Sequence, residues 1–332
     1  MISVIIPLFN KASYIEKAIR SVFNQTYQDF ELIIVNDGST DESLKNSQVV
    51  ISTLQVGDLN LSKKIKVIDQ KNQGVSTARN NGVKEAHSDY IAFLDADDWW
   101  EPNYLDEIKM LIIQYPGAGI YCSSYYKVKD GYKIIANIGV DSDFRVGRIN
   151  YFETYSKTMW MPVWTGAVVI PRRLIVEEGG FKAQLKIGED FDLWIRLALK
   201  YQVILLNKAL SNYNQDVDYV NRAAHGKLHA KESDFLFNSD CYSQVEKENA
   251  DLKNLLDKHR VMHLMPYYYY KNRKQDAIFE LSKVNWTLQP FKIRLQYKQP
   301  YFLGKIIFDI RSCRGKIKLW VKGFIKKKTF YE

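Results

Sequence analysis

Asp89-Tyr90-Ile91-Ala92-Phe93-Leu94-Asp95-Ala96-Asp97-Asp98-Trp99-Trp100-Glu101-Pro102 passes from an apolar segment of strand length into three carboxylates within four residues. Tyr90 to Leu94 reads as a buried strand, and Pro102 marks a place where a new helix can begin. Acids at the carboxyl end of a buried strand lie on the edge where open α/β sheets bind ligands. Clustered carboxylates repel one another and resist desolvation unless positive charge sits between them. Hard oxygen donors in a row suit Mg²⁺ or Mn²⁺, and such an ion usually also holds phosphate oxygens. A solvated acidic loop explains the same residues, so the surrounding chain decides.

Upstream, Ile2 to Pro7 reads as a buried strand ended by Pro7-Leu8-Phe9-Asn10, and Ala12 to Phe23 has the helical spacing of Tyr14, Ile15, Ala18, Ile19 and Val22. Phe30 to Val35 is a second strand, closed by Asn36-Asp37-Gly38-Ser39-Thr40-Asp41. Strand, helix, strand at this spacing implies a right-handed parallel crossover. Asp37 then sits at a carboxyl end where a nucleoside can lie, although an Asp-Gly turn or a helix N-cap accounts for it equally well. Residues 41–64 read as a helix and an irregular connection, and Lys64 to Asp69 as a third strand. Asn72-Gln73-Gly74, continuing to Gly82, fits a loop entering a helix whose amino end can face an anion. Arg79, one turn in, has a planar fork suited to a base or a phosphate.

Downstream, a helix is expected from about Pro102 to Gln114, then strands over Ala118–Tyr126 and 132–140. Gly117-Ala118-Gly119 lacks the third glycine of a dinucleotide fingerprint, with Cys122 in its place. Met161 to Ile170 leads from a loop into a strand, and Pro171 starts a short helix. Trp160 and Trp164 either stack on apolar sugar faces or belong to the core. A second acidic cluster, Gly188-Glu189-Asp190-Phe191-Asp192, occupies the first turn of a helix whose apolar face is Leu193, Trp194, Leu197 and Ala198. Favourable alignment with the helix dipole explains one or two of these acids, and a general base in a cleft is the other reading. Val203 to Leu206 and the segment ended by Tyr213-Asn214-Gln215-Asp216 read as two strands, and residues 228–285 as helical.

His225 with His229 and His259 with His263 are pairs at helical spacing, but neither has the glutamate of a zinc-binding HExxH motif. His225, shortly after Asn221-Arg222, is the more interesting as a phosphate or metal contact. Three distant cysteines without a CxxC disfavour a disulfide framework. The absence of a signal-like start and of a long apolar window leads to the expectation of a soluble chain in a reducing compartment. Its charge is lopsided: residues 301–332 hold nine Lys/Arg against Asp309 and Glu332, a net +7 of the chain's +9. Mixed there with Phe302, Ile306, Trp320 and Phe324, these cations suit an amphipathic surface for anionic lipid, or else a packed helix with a solvated basic face.

Taken in order, Val4-Ile5-Ile6-Pro7 with Asn10, Glu31 to Ser39, Asn72-Gln73-Gly74, Ala78-Arg79-Asn80, Phe93 to Asp98 and Gly188-Glu189-Asp190 resemble the family 2 glycosyltransferases. The resemblance covers about residues 2–215. It implies an inverting enzyme of GT-A fold, a Rossmann-like nucleotide-binding mixed α/β sheet flanked by helices, over residues 1–220. Residues 221–332 would form a helical, basic, aromatic-rich extension for acceptor or membrane association. The resemblance further implies a nucleotide-diphosphate sugar donor, most often a UDP-sugar, and Mn²⁺ or Mg²⁺. Asp37 would bind the base, with Pro7, Phe9, Asn10 and Gly74 around the nucleoside, and Arg79 would hold base or phosphate. Asp95 would take the ribose and Asp97 the metal. Asp95 and, from its own place in the chain, His225 are further metal candidates, and Trp164 is the candidate for the sugar-flanking indole. Asp190 looks like the general base, with Glu189 and Asp192 as alternatives.

The Gln-x-x-Arg-Trp motif of processive polysaccharide synthases is absent, which implies transfer of one hexosyl or N-acetylhexosaminyl unit to a glycan or lipid-linked acceptor. The expected setting is the inner membrane face, in cell-surface polysaccharide synthesis, with no nucleic-acid partner. A sugar nucleotidyltransferase is the alternative enzyme, but Pro7-Leu8-Phe9-Asn10-Lys11 offers no Gly-rich basic phosphate loop. A non-catalytic membrane or nucleic-acid binder acting through the basic tail is the alternative outside enzymes.

Overall fold

The computed structural model describes residues 1–55, 64–217, 230–269, 273–306 and 308. Two compact units divide the chain, Met1–Val245 and Glu246–Glu332.

Strands β1 (Ile2–Leu8) and β2 (Phe30–Asp37) are almost wholly apolar and buried along their length, as parallel strands covered on both faces must be. Between them runs α1 (Ile15–Phe23), which buries Ile15, Ala18, Ile19 and Val22. Helix α2 (Ser43–Gln55) precedes β3 (Ile65–Gln70), and α3 (Val75–Glu85) precedes β4 (Tyr90–Phe93). The order β3-β2-β1-β4 is parallel throughout, with Ile5 in register with Ile33 on one side and Phe93 on the other. Strand order therefore reverses at β1, where crossovers leave towards β2 on one side and the chain returns at β4 on the other. The crevice at the carboxyl ends of β1 and β4 is the switch point at which such sheets bind ligands.

The remaining strands are β5 (Trp99–Trp100), β6 (Ile120–Lys129), β7 (Tyr132–Ile135), β8 (Val146–Ile149), β9 (Val168–Pro171) and β10 (Val203–Asn214). They extend the sheet as β4-β9-β6-β10-β5, with β9 antiparallel to both its neighbours, β7 on β6 and β8 on β10. Helices α4 (Tyr104–Gln114), α5 (Tyr151–Thr158), α6 (Arg172–Glu177) and α7 (Glu189–Ala198) complete the layers. One core cluster joins Val4 and Ile6 of β1 to Ile15 and Ile19 of α1 and to Leu105 and Ile108 of α4.

Several elements differ from the sequence-based expectations. The two strands expected between 203 and 216 are one strand, β10, whose register shifts on β6 around Ala209. The expected strand 132–140 ends at Ile135. Strand β5, two residues long, pairs antiparallel with Asn212 and Ser211 of β10 and has no periodicity to announce it. Residues 230–245 belong to the first unit: Asp234 bridges to Ile187, Phe235 meets Phe191 edge-on, and the Tyr242 hydroxyl donates to Asp192 Oδ1 at 2.9 Å.

The second unit is helical. Helix α8 (Ser243–Glu248) leads to α9 (Ala250–His263), α10 (Met265–Tyr269), α11 (Lys274–Ser282) and α12 (Phe291–Lys298). Arg260 is buried at its centre, donating from Nη1 and Nη2 to the two Glu246 oxygens at 2.7 Å each and lying 3.6 Å from Glu280. Burying that guanidinium without these acids would be prohibitive, so the pairing ties α9 to α8 and α11. Among the described residues, no helix is long and apolar enough to cross a membrane. His225, His229 and most of the basic tail lie outside the described residues.

Candidate active site

Each acidic segment is positioned by a strand or helix end. Strand β4 stops at Phe93, and the backbone turns with Asp98 N donating to Asp95 O at 3.0 Å. The three acids then take different directions. Asp95 Oδ1 accepts from Arg79 Nη2 at 2.8 Å, and Asp97 Oδ2 accepts from Lys11 Nζ at 2.6 Å. Asp98 points inward: it is buried, and accepts from the Asn214 backbone at 2.8 Å and from Trp164 Nε1 at 3.1 Å. Burial, reinforced by the charges of Asp97 and Asp95, holds the Asp98 carboxyl well above the usual range. The row of acids is thus two carboxylates paired with Arg79 and Lys11, and one structural clamp between the acidic turn and β10.

Helix α7 begins at Gly188, which has φ +76°, and a Cβ there would lie 2.7 Å from the Phe235 side chain. That glycine lets the chain turn tightly into the helix and sets the first-turn acids. Asp190 Oδ2 accepts from the Thr165 hydroxyl at 3.1 Å, and Oδ1 from the Phe191 backbone at 2.7 Å. Glu189 Oε1 accepts from Arg79 Nη1 at 3.1 Å. Burial and the Asp190 charge push the Glu189 carboxyl up to about 7 against the pull of Arg79. Asp192 is spent on structure: Lys182 at 2.7 Å, Arg196 at 2.8 Å and the Tyr242 hydroxyl all bind its buried carboxylate.

Arg79 joins the two segments. It is buried on α3, one guanidinium nitrogen on Asp95 and another on Glu189, with its face 5.2 Å from the Phe181 ring. The two acids raise its pKa above the ordinary value despite burial. Helix α3 is itself placed by Asp37. The Asp37 carboxylate accepts from Gln73 N and Gly74 N at 2.8 Å each and from Gln70 Nε2 at 2.7 Å. Both oxygens of this candidate base-binding residue therefore hold the loop that carries Gly74.

The end of β1 supplies the opposite wall. Asn10 adopts φ +50°, and its side chain is tied to Thr40, with Oδ1 accepting from Thr40 N at 2.8 Å. Lys11 N donates to Ser43 Oγ at 2.7 Å, so its side chain starts from a fixed backbone and crosses to Asp97. Pro7 is buried in β1, whereas Phe9 is exposed. Trp164 is half-buried, its ring 5.6 Å from Tyr125 and 4.2 Å from Tyr213. Trp160 lies under Lys127, 4.0 Å from the ring centroid. His259 and His263 stack at 5.3 Å, and burial drives the His259 pKa well down.

A divalent cation suits this donor set. Burial pushes the Asp97 carboxyl up, Lys11 draws it back, and the Asp95 charge pushes it up again, so added positive charge beside Asp97 would favour its ionised form. Among the described residues, no group of three or more His, Cys, Asp or Glu is arranged to hold a metal. Asp97 and Asp95 are the carboxylates that could share such an ion with substrate phosphates. Lys11, Thr165 and the Glu189 ion pair were not singled out by sequence; only their partners in space reveal them.

Comparison with known proteins adds a family. Residues 3–169 match the family model described as Glycosyl transferase family 2. An uncharacterized glycosyltransferase of Rickettsia conorii is 32% identical over 210 residues, 63% of this chain and 32% of that protein. Glycosyltransferase GlyA of Streptococcus pneumoniae is 31% identical over 226 residues, 64% of this chain and 30% of that protein. The matched region thus spans about a third of the length of these relatives. Residues 1–349 of S. aureus TarS, solved with UDP-GlcNAc, align with a TM-score of 0.65 at 18% identity, covering 84% of this chain and 79% of that one. At that identity the likeness concerns the fold, and it makes the mixed sheet a GT-A sheet.

Proposed function

The chain belongs to glycosyl transferase family 2, and from that premise we propose that it transfers one sugar, with inversion, from a nucleotide-diphosphate sugar to an acceptor hydroxyl. One observation carries this reading: Arg79 holds a carboxylate of each acidic segment, Asp95 at the end of β4 and Glu189 beside Asp190 on α7. In this reading the donor site and the base are held against each other by that one side chain.

In this reading the nucleoside lies over the carboxyl ends of β1 and β2, against Pro7, Phe9 and Asn10. Asp37 shapes the Gly74 loop around the base, since its oxygens already hold that loop. Asp95 meets the ribose and Asp97 the divalent cation, Mn²⁺ or Mg²⁺. When bound, that cation offsets the charge growing on the departing diphosphate. Asp190 is the general base: Thr165 orients it, whereas Lys182, Arg196 and Tyr242 already bind Asp192. Asp190 takes the acceptor hydroxyl proton as the oxygen attacks the anomeric carbon opposite the diphosphate. The bond from that carbon to the phosphate oxygen breaks, and no protein nucleophile intervenes. A base of this kind contributes on the order of 10²–10⁴ in rate.

The acceptor is a glycan or lipid-linked hydroxyl, and the donor to test first is a UDP-hexose or UDP-N-acetylhexosamine. The second unit is read as a peripheral contact with anionic membrane. Residues 284–308 contain four Lys/Arg and no acid, while Leu288, Phe291, Phe302 and Leu303 are exposed there. Apolar side chains beside such cations suit an anionic bilayer surface.

The test is binding and slow hydrolysis across a panel of nucleotide sugars with Mn²⁺. One UDP-sugar bound and hydrolysed by the wild type, with Asp97→Ala losing metal-dependent binding, supports the reading. No nucleotide sugar bound with or without metal removes it.

A further inference from the structure

Two cations face the acidic turn after β4, and they are held very differently. Arg79 is 5% exposed and pinned between Asp95 and Glu189, on two separate elements. Lys11 reaches Asp97 from the end of β1, with side chains 15% and 19% exposed. Its backbone cannot follow a ligand, because Asn10 is turned to φ +50° and bonded to Thr40 while Lys11 N is bonded to Ser43. Its stem can, since an ammonium on four methylenes has no fixed donor plane.

The Lys11 ammonium sits on Oδ2 of the carboxylate that the proposed function gives to a divalent cation. An ammonium and a divalent cation on one carboxylate repel each other strongly in a partly buried site. Both fit once a diphosphate arrives, because its oxygens offer the ammonium another place. We propose that Lys11 is the exchangeable counter-ion of the donor site: it neutralises Asp97 in the donor-free protein, and on donor binding it releases Asp97 to the metal and turns to the diphosphate. The inference rests on the reading of Asp97 as the metal residue. Its consequence is coupling. Metal binds weakly alone and tightly with the nucleotide, and by linkage the nucleotide gains as much from the metal.

The experiment measures free Mn²⁺ by electron paramagnetic resonance in titrations of the full chain, with and without UDP, so no turnover is involved. In the wild type, saturating UDP should tighten Mn²⁺ binding about 10-fold or more, within the usual range of coupling between sites. Lys11→Met should bind Mn²⁺ without UDP about 10-fold tighter than wild type and lose most of that coupling. Lys11→Arg, which keeps the charge, should retain weak UDP-free binding and controls for folding. Lys11→Met with unchanged or weaker UDP-free Mn²⁺ affinity overturns the proposal. Asp97→Asn separates the two failures. If it abolishes Mn²⁺ binding while Lys11→Met changes nothing, only the counter-ion role falls. If it leaves Mn²⁺ binding intact, the metal assignment falls and the counter-ion role with it.

Discussion

Arg79 and Glu189, 110 residues apart in the chain, meet at 3.1 Å with the guanidinium buried on α3. Through its other nitrogen the same guanidinium holds Asp95 at 2.8 Å. The acidic end of β4 and the acidic start of α7 are therefore one assembly. Its centre is a charge that is stable only while both acids remain.

Arg79→Ala should then destabilise the first unit by about 3–5 kcal/mol, because it strands carboxylates that were buried against a cation. Arg79→Lys should recover little, since one ammonium cannot reproduce a fork spanning two acids. Urea denaturation of the three proteins measures this; equal midpoints for Arg79→Ala and wild type would show that the bridge carries no stability.

Glu189 makes stability depend on pH with a definite sign. Its carboxyl is raised from the ordinary 4.5 to about 7 by burial and Asp190, Arg79 opposing, with Asp95 on the other side of Arg79. Between those values the folded chain keeps a proton that the unfolded chain has released. The contribution is therefore fully present below about pH 4.5 and is lost as pH rises through about 7. Glu189→Gln cannot ionise, so its melting temperature relative to wild type should be higher at pH 8 than at pH 5. A difference that stays constant across that window contradicts the raised carboxyl.

Asp190 and Asp192 should separate cleanly. Asp190→Asn is expected to keep donor binding and lose about 10²–10⁴ in turnover. Asp192→Ala should lose about 3–5 kcal/mol of stability by stranding Lys182 and Arg196. Isothermal titration with donor, paired with thermal melts, distinguishes these outcomes. A stable Asp192→Ala protein without turnover would move the base to Asp192.

For the second unit, flotation with anionic and neutral vesicles tests the membrane contact. Phe291 and Phe302 are 69% and 72% exposed, so Phe291→Ser with Phe302→Ser should fold normally yet lose binding to anionic vesicles. Binding that is unchanged, or equal on neutral vesicles, would set that surface aside.

Much of this architecture is legible in the chain itself. Strands β1 and β2 are continuous apolar runs because parallel interior strands are covered on both faces, and the acids that follow β4 mark the ligand edge. Residues 189–192 invited three candidates for the base, yet positions two apart on a helix do not share a face, so Asp190 and Asp192 had to point apart. Asp98 was not legible, because its inward direction follows from a turn rather than from strand alternation. Nor were the pairs Lys11–Asp97 and Arg79–Glu189, 86 and 110 residues apart, which only the fold brings together. Strand β10 reads as two because Asn207 and Lys208 interrupt its apolar run where the register shifts.

The most direct test of inverting transfer with Asp190 as base is the anomeric configuration of the sugar released when water replaces the acceptor. An α-linked UDP-sugar, Mn²⁺ and the full chain are followed by proton NMR before mutarotation sets in. The account predicts that the β-anomer appears first and that Asp190→Asn abolishes its formation while donor still binds. First appearance of the α-anomer, or undiminished β-anomer from Asp190→Asn, would contradict it.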